Sequence, residues 1–149
     1  MRAFVVAEYA HPSKLRLTYD APEPVLEPGS DNILIDIHSA GLNFFDVRVP
    51  DFPLCTLSGL TQYLTKNQLQ ILQSQGKYQD QPSRPFVLGA EFAGTVAAVP
   101  QGCLYKPGDR VFGVAQGAYG ERIVVKPHQV QPLPDALSFD QGAGACQSP

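Results

Sequence analysis

The chain has 149 residues, 44% of them hydrophobic and 17% charged, and a formal net charge of -3. That length holds one domain with a real core and not two, and a mild negative charge with no run of Lys and Arg speaks against nucleic acid or an anionic membrane as partner. No apolar run approaches a membrane span or a signal-peptide core. The 14 Pro and 13 Gly oppose long helices and favour a turn-rich β architecture.

In chain order, the apolar run RAFVV and the alternating LRLTYD predict two early strands, followed by the loop APEPVLEPGSDN. In NILIDIHSAGLN the residues Ile33, Ile35 and Ile37 fall on one side, opposite Leu34, Asp36 and His38, which predicts a half-buried strand. RPFVLGAEFAGTVAAVPQG has strand density, with Gly89 and Gly94 where a bulge or a close backbone approach is expected. A Pro-Gly-Asp turn at Pro107 to Asp109 leads into the strand RVFGVA, and GERIVVKPHQVQPLP predicts one more strand ending in prolines. GVAQGAYG reads as turn chemistry between strands. A last helix starts in LSFDQGAGA, capped by Ser138 or Asp140; elsewhere only NQLQILQSQ has helical propensity. Short strands with frequent turns predict a mainly β fold, a small and partly open barrel with few short helices.

Cys55, Cys103 and Cys146 stand far apart, without CxxC or a neighbouring His. They form neither a disulfide framework nor a zinc site and suit a reducing cytoplasm. His11, His38 and His128 are dispersed and read as surface or strand histidines.

The pieces MRAFVV, EPGSDNILIDIHSAGLNFFD, LQSQGKYQDQPSRPFVLGAEFAGTV, KPGDRVFGV, AYGERIVVKPHQV and LPDALSFDQGAGA, in that order, resemble the N-terminal GroES-like domain of the medium-chain dehydrogenase/reductases. The similarity is to the zinc-independent quinone oxidoreductase, or zeta-crystallin-like, branch, and it covers nearly the whole chain except Val47 to Gln70 and the last four residues. It implies a GroES-like domain over residues 1–137 and a stub of the inter-domain linker over 138–149. The zinc-dependent relatives carry a Cys after the AG strand and a His in a G-H-E motif; here Asn43 and Ala90 stand in those places, and metal-free chemistry is implied.

The resemblance implies hydride transfer from NADPH to a small-molecule acceptor, a quinone or an α,β-unsaturated carbonyl, in a full-length relative that is a homodimer. It implies that Asn43 and Asp46 lie beside the nicotinamide, Asn43 as amide donor and Asp46 as hydrogen-bond anchor, and that Tyr78 donates to the acceptor carbonyl. On the residues alone, Asn43 and Asp46 read as loop residues capping a turn, Tyr78 as a barrel-wall aromatic, and Glu91 as an ordering carboxylate. A non-catalytic β-barrel interaction module, or a pseudoenzyme, is the alternative.

A dinucleotide-binding unit is expected to be missing. GAGA at Gly142 to Ala145 has no strand before it, so it is not the Gly-rich turn of a Rossmann unit, and tight NADPH binding by these residues is not expected. Removing Val47 to Gln70, 24 residues, leaves GLNFFDILQSQGKYQDQP, an uninterrupted match to the resembled motif. Valine codons begin GT and Gln70 can be CAG, so the segment reads as a retained in-frame intron, with CQSP at the end as a second failed splice. The rival reading is a genuine surface insertion, which loops tolerate at small entropic cost.

Overall fold

The computed structural model describes residues 1–42, 74–76 and 82–145. The expected sites at Asn43, Asp46 and Tyr78, the segment 47–70, Cys55, Cys146 and nearly all of the predicted NQLQILQSQ helix lie outside the described residues. Among the described residues the fold is mainly β, as expected: eight strands and one short helix. No helix there is long and apolar enough to cross a membrane.

The strands are β1 (Ala3–Val6), β2 (Leu17–Thr18), β3 (Ile33–Ala40), β4 (Phe86–Val87), β5 (Glu91–Ala98), β6 (Arg110–Val114), β7 (Arg122–Val125) and β8 (Val130–Pro132), and α1 spans Phe139–Ala143. They form two open sheets, a three-stranded one in the order β2-β1-β4 and a five-stranded one in the order β7-β3-β5-β6-β8. Every neighbour is antiparallel. The turn after β6 joins the two sheets: Phe4 N donates to Tyr119 O at 2.9 Å, Tyr119 N to Leu88 O at 2.7 Å, and Ala3 bridges Gly120.

The period-two reading of β3 holds at its start, where Ile33 and Ile35 are fully buried. They pack with Phe92, Val96, Val111 and Ile123 in the main core, each large aliphatic contributing about 1.5–3 kcal/mol by burial. Ile37 packs against the same core and His38 is exposed, so the alternation runs through His38, although the pairing with β5 slips between Leu34 and Ile35 and again between Ile37 and Ser39. His38 falls in this bulge; its Nε2 lies 2.6 Å from Thr95 Oγ and its ring stacks on Phe139 with centroids 4.3 Å apart.

The glycine expectations hold as close approaches. A Cβ on Gly94 would lie 2.1 Å from the Asp36 carbonyl oxygen, and one on Gly89, whose φ is +96°, would lie 2.5 Å from Tyr119. Gly89 also turns the chain, which is why the predicted single strand from Arg84 onward divides into β4 and β5. The Pro-Gly-Asp turn is present: Gly108 has φ +95°, Asp109 Oδ2 accepts from Lys106 N at 2.8 Å, and β6 starts at the next residue.

GERIVVKPHQVQPLP, expected as one strand, is two. Pro127 has no N–H to give a ladder and opens a 3-10 turn, Pro127–Gln129, where Gln129 Oε1 accepts from Lys126 N at 2.9 Å. At α1 the cap is Ser138 and not Asp140: Gln141 N donates to Ser138 Oγ at 3.2 Å, and Ser138 N donates to Gln141 Oε1 at 2.9 Å. Asp140 instead accepts from the Ser39 hydroxyl on β3. That contact and the cluster of Ala93, Leu133 and Ala143 seat the helix on the sheet.

Candidate functional site

What the structure describes next to the expected site is the end of β3 and the chain after it, up to Leu42. Strand β3 ends at Ala40, and the next residue, Gly41, is held from two sides. Its N–H donates to the Glu91 carbonyl at 3.0 Å, and its carbonyl accepts from the Tyr119 hydroxyl at 3.2 Å. A Cβ on Gly41 would lie 2.7 Å from Ala143 O and 2.9 Å from Glu91 Oε2, so only glycine fits without displacing the helix or the carboxylate. Gly41 therefore fixes where the chain leaves the sheet, beside a buried glutamate.

Glu91 opens β5 with only 2% of its surface exposed. Its side chain lies against Gly41. The Ala90 carbonyl accepts from Ala115 N at 2.8 Å. Among the described residues no three His, Cys, Asp or Glu side chains are grouped to hold a metal ion.

Tyr119 was not singled out from the sequence, yet it joins the parts. Its N donates to Leu88 O at 2.7 Å, its carbonyl serves Phe4, its hydroxyl holds Gly41, and its ring covers Gly89. It sits in a turn with no periodic neighbour, and nothing in a single sequence marks a turn tyrosine as a hub.

Beside Gly41 a groove of about 760 Å³ opens between β1 and β2, the end of β3 and the turn at Tyr119. Its lining is mostly apolar, and its rim carries an ion pair: Arg2 lies 2.6 Å from Glu121, whose carboxylate also accepts from Arg2 N at 2.8 Å. The Arg2 backbone N–H first, then its side chain, holds the Glu121 carboxyl below the usual carboxylate range. A group with a depressed pKa favours the paired state above its ordinary pKa and loses that advantage as pH falls through the folded value. The expected result in a side-chain NMR titration is a Glu121 midpoint below that of an unpaired glutamate, moving upward in Arg2→Ala; equal midpoints in the two proteins would contradict the pairing.

Gly142 sits inside α1 with a would-be Cβ 2.7 Å from Leu133 and 3.2 Å from Ala93. This glycine permits packing and leaves no space for a phosphate.

With this geometry in place, the likeness to known proteins is specific. The alcohol dehydrogenase GroES-like domain family matches residues 29–135. The quinone oxidoreductases of Mus musculus and Homo sapiens are each 30% identical over 146 residues, covering 96% of this chain and 36% of their own length. The chain thus spans about a third of the length of these curated relatives. A probable oxidoreductase from Mycobacterium abscessus superimposes with a TM-score of 0.70 at 29% identity, covering 96% of this chain and 38% of its own. The Escherichia coli quinone oxidoreductase, solved in complex with NADPH, gives 0.70 at 25% identity, covering 97% and 37%.

Proposed function

The chain belongs to the alcohol dehydrogenase GroES-like domain family of the medium-chain dehydrogenase/reductases, and from that premise we propose that it is the substrate-side domain of an NADPH-dependent quinone or enone oxidoreductase. The observation that carries this reading is Gly41, two residues before Asn43 in the sequence, held between the Glu91 carbonyl and the Tyr119 hydroxyl. The identity to quinone oxidoreductases over nearly all of this chain supports it.

In this reading NADPH supplies the hydride. The chain's own part is to orient the acceptor and to stabilise the charge that grows on its oxygen. Asn43 offers an amide N–H and Tyr78 a phenol O–H, neutral donors that polarise a carbonyl without a metal. Asp46 anchors the nicotinamide side. The residue types at positions 43 and 90, asparagine and alanine, support metal-free chemistry because neither replaces the Cys and His of the zinc-dependent relatives.

The test is a binding titration of the purified chain with a tetrasubstituted benzoquinone, which resists addition by free thiols. Saturable binding is expected, weakened about three- to tenfold by Asn43→Ala, the effect of a net hydrogen bond of ~1 kcal/mol. These 149 residues alone are expected to give no saturable NADPH-dependent reduction of the quinone. Absence of quinone binding would favour the non-catalytic interaction module.

A further inference from the structure

We propose that α1 is a latch on one wall of the groove beside Gly41: the helix and the end of β3 open and close as one unit, apart from the rest of the sheet. Ile37, His38, Ser39, Ala40 and Leu42 line that groove. The same stretch of chain is also the seat of the helix. The His38 ring stacks on Phe139 with centroids 4.3 Å apart, the Ser39 hydroxyl donates to the Asp140 carboxylate, and a Cβ on Gly41 would stand 2.7 Å from the Ala143 carbonyl oxygen. Contact with one strand end therefore runs along α1 from its first residue to its last.

Two properties make the unit cooperative. Helix α1 has five residues, and a helix so short does not persist in water without its seat; when it lifts, β3 loses Phe139, Asp140 and Ala143 together. The Gly41 contact is with backbone, so a shift of Gly41 towards the helix moves Ala143 itself and not a flexible side chain. Burial sets the border of the unit. The helix brings only Gly142 and Ala143 to full burial, and His38 and Asp140 are exposed. Ile35, Phe92 and Val96 at the sheet centre are almost wholly buried, and local openings are drawn from the exposed, lightly packed segments. Arg110 keeps the opened helix within reach, since its guanidinium donates to Leu137 O at 2.6 Å, just ahead of the Ser138 cap. By linkage, a load that lifts α1 loosens the groove wall, and a ligand that needs the closed wall holds α1 down.

The experiment is amide hydrogen exchange, followed by NMR on the full chain. It is read at the N–H of Gly41, bonded to Glu91 O, at that of Gly142, bonded to Ser138 O, and at that of Val96 in the sheet, bonded to Asp109 O. In the parent chain Gly41 and Gly142 are expected to be equally protected, and both less than Val96. Phe139→Ala removes the stack from the helix side and should speed exchange at Gly41 and Gly142 alike by about tenfold. Ser39→Ala removes the hydrogen bond from the strand side and should speed both by about fivefold, with Val96 unchanged in each variant. Ser39→Ala takes only a hydroxyl from a half-buried side chain, so it is expected to fold and to carry the test if Phe139→Ala does not. Acceleration at Gly142 alone would show a helix that frays by itself and overturns the latch. So does unchanged exchange at Gly41 and Gly142, or equal acceleration at all three amides, which would show global unfolding in place of a local opening.

Discussion

Gly94→Ala is expected to destabilise the chain by about 3 kcal/mol or more, a large part of the ~5–15 kcal/mol that holds a domain folded. The added methyl would stand 2.1 Å from the carbonyl oxygen of Asp36, and that oxygen is backbone, so no side chain can swing away. Relief requires β3 and β5 to part at the centre of the five-stranded sheet, opening contacts among Ile35, Phe92 and Val96. Gly102→Ala is the control. That glycine has φ +82° but nothing within 4 Å of a would-be Cβ, so only backbone strain of ~1 kcal/mol is expected. Urea unfolding of both variants measures the difference, and equal midpoints would contradict the close approach of the two strands.

Deleting Val47 to Gln70 is expected to preserve the fold and to tighten quinone binding about tenfold, equivalent to ~1.4 kcal/mol. Loop length itself matters little, since halving a flexible loop changes closure entropy by only ~0.6 kcal/mol. The larger effect comes from the sequence: without the segment Asp46 runs directly into ILQSQGKY, and the proposed anchor and the proposed donor Tyr78 return to one short stretch. A deletion variant that fails to fold, or binds no better, would mean that the segment is an integral insertion. Reading the gene and transcript across this join is the companion measurement. GT at the start of the Val47 codon and AG at the end of the Gln70 codon are expected, and codons without them would remove the intron reading.

Much of the fold was legible because its strongest signals are local. The Pro-Gly-Asp turn before Arg110, the buried isoleucines of β3 and the Ser138 cap each depend on a few neighbouring residues. Gly89 and Gly94 could be marked as close approaches because glycine inside a strand pattern has few other uses, although the partners, Tyr119 and Asp36, were not predictable. The misses have two causes. The break of the last strand at Pro127 is local, a proline that removes a ladder donor. The slips in register between β3 and β5 are tertiary outcomes to which period-two alternation is blind. The same holds for the site: Glu91 was noticed as a carboxylate, but its place against Gly41 depends on the β3–β5 pairing and on the seating of α1. Tyr119 was missed because its importance lies entirely in contacts distant in sequence.

The central claim is that an acceptor binds where the chain leaves β3 toward Asn43. Backbone amide NMR spectra recorded while the chain is titrated with tetramethylbenzoquinone test it most directly. The account predicts that the amides of Leu42, Glu91 and Tyr119 shift together and saturate at one common affinity. Shifts confined to β8 and the far end of α1, or no saturable shift at all, would contradict it.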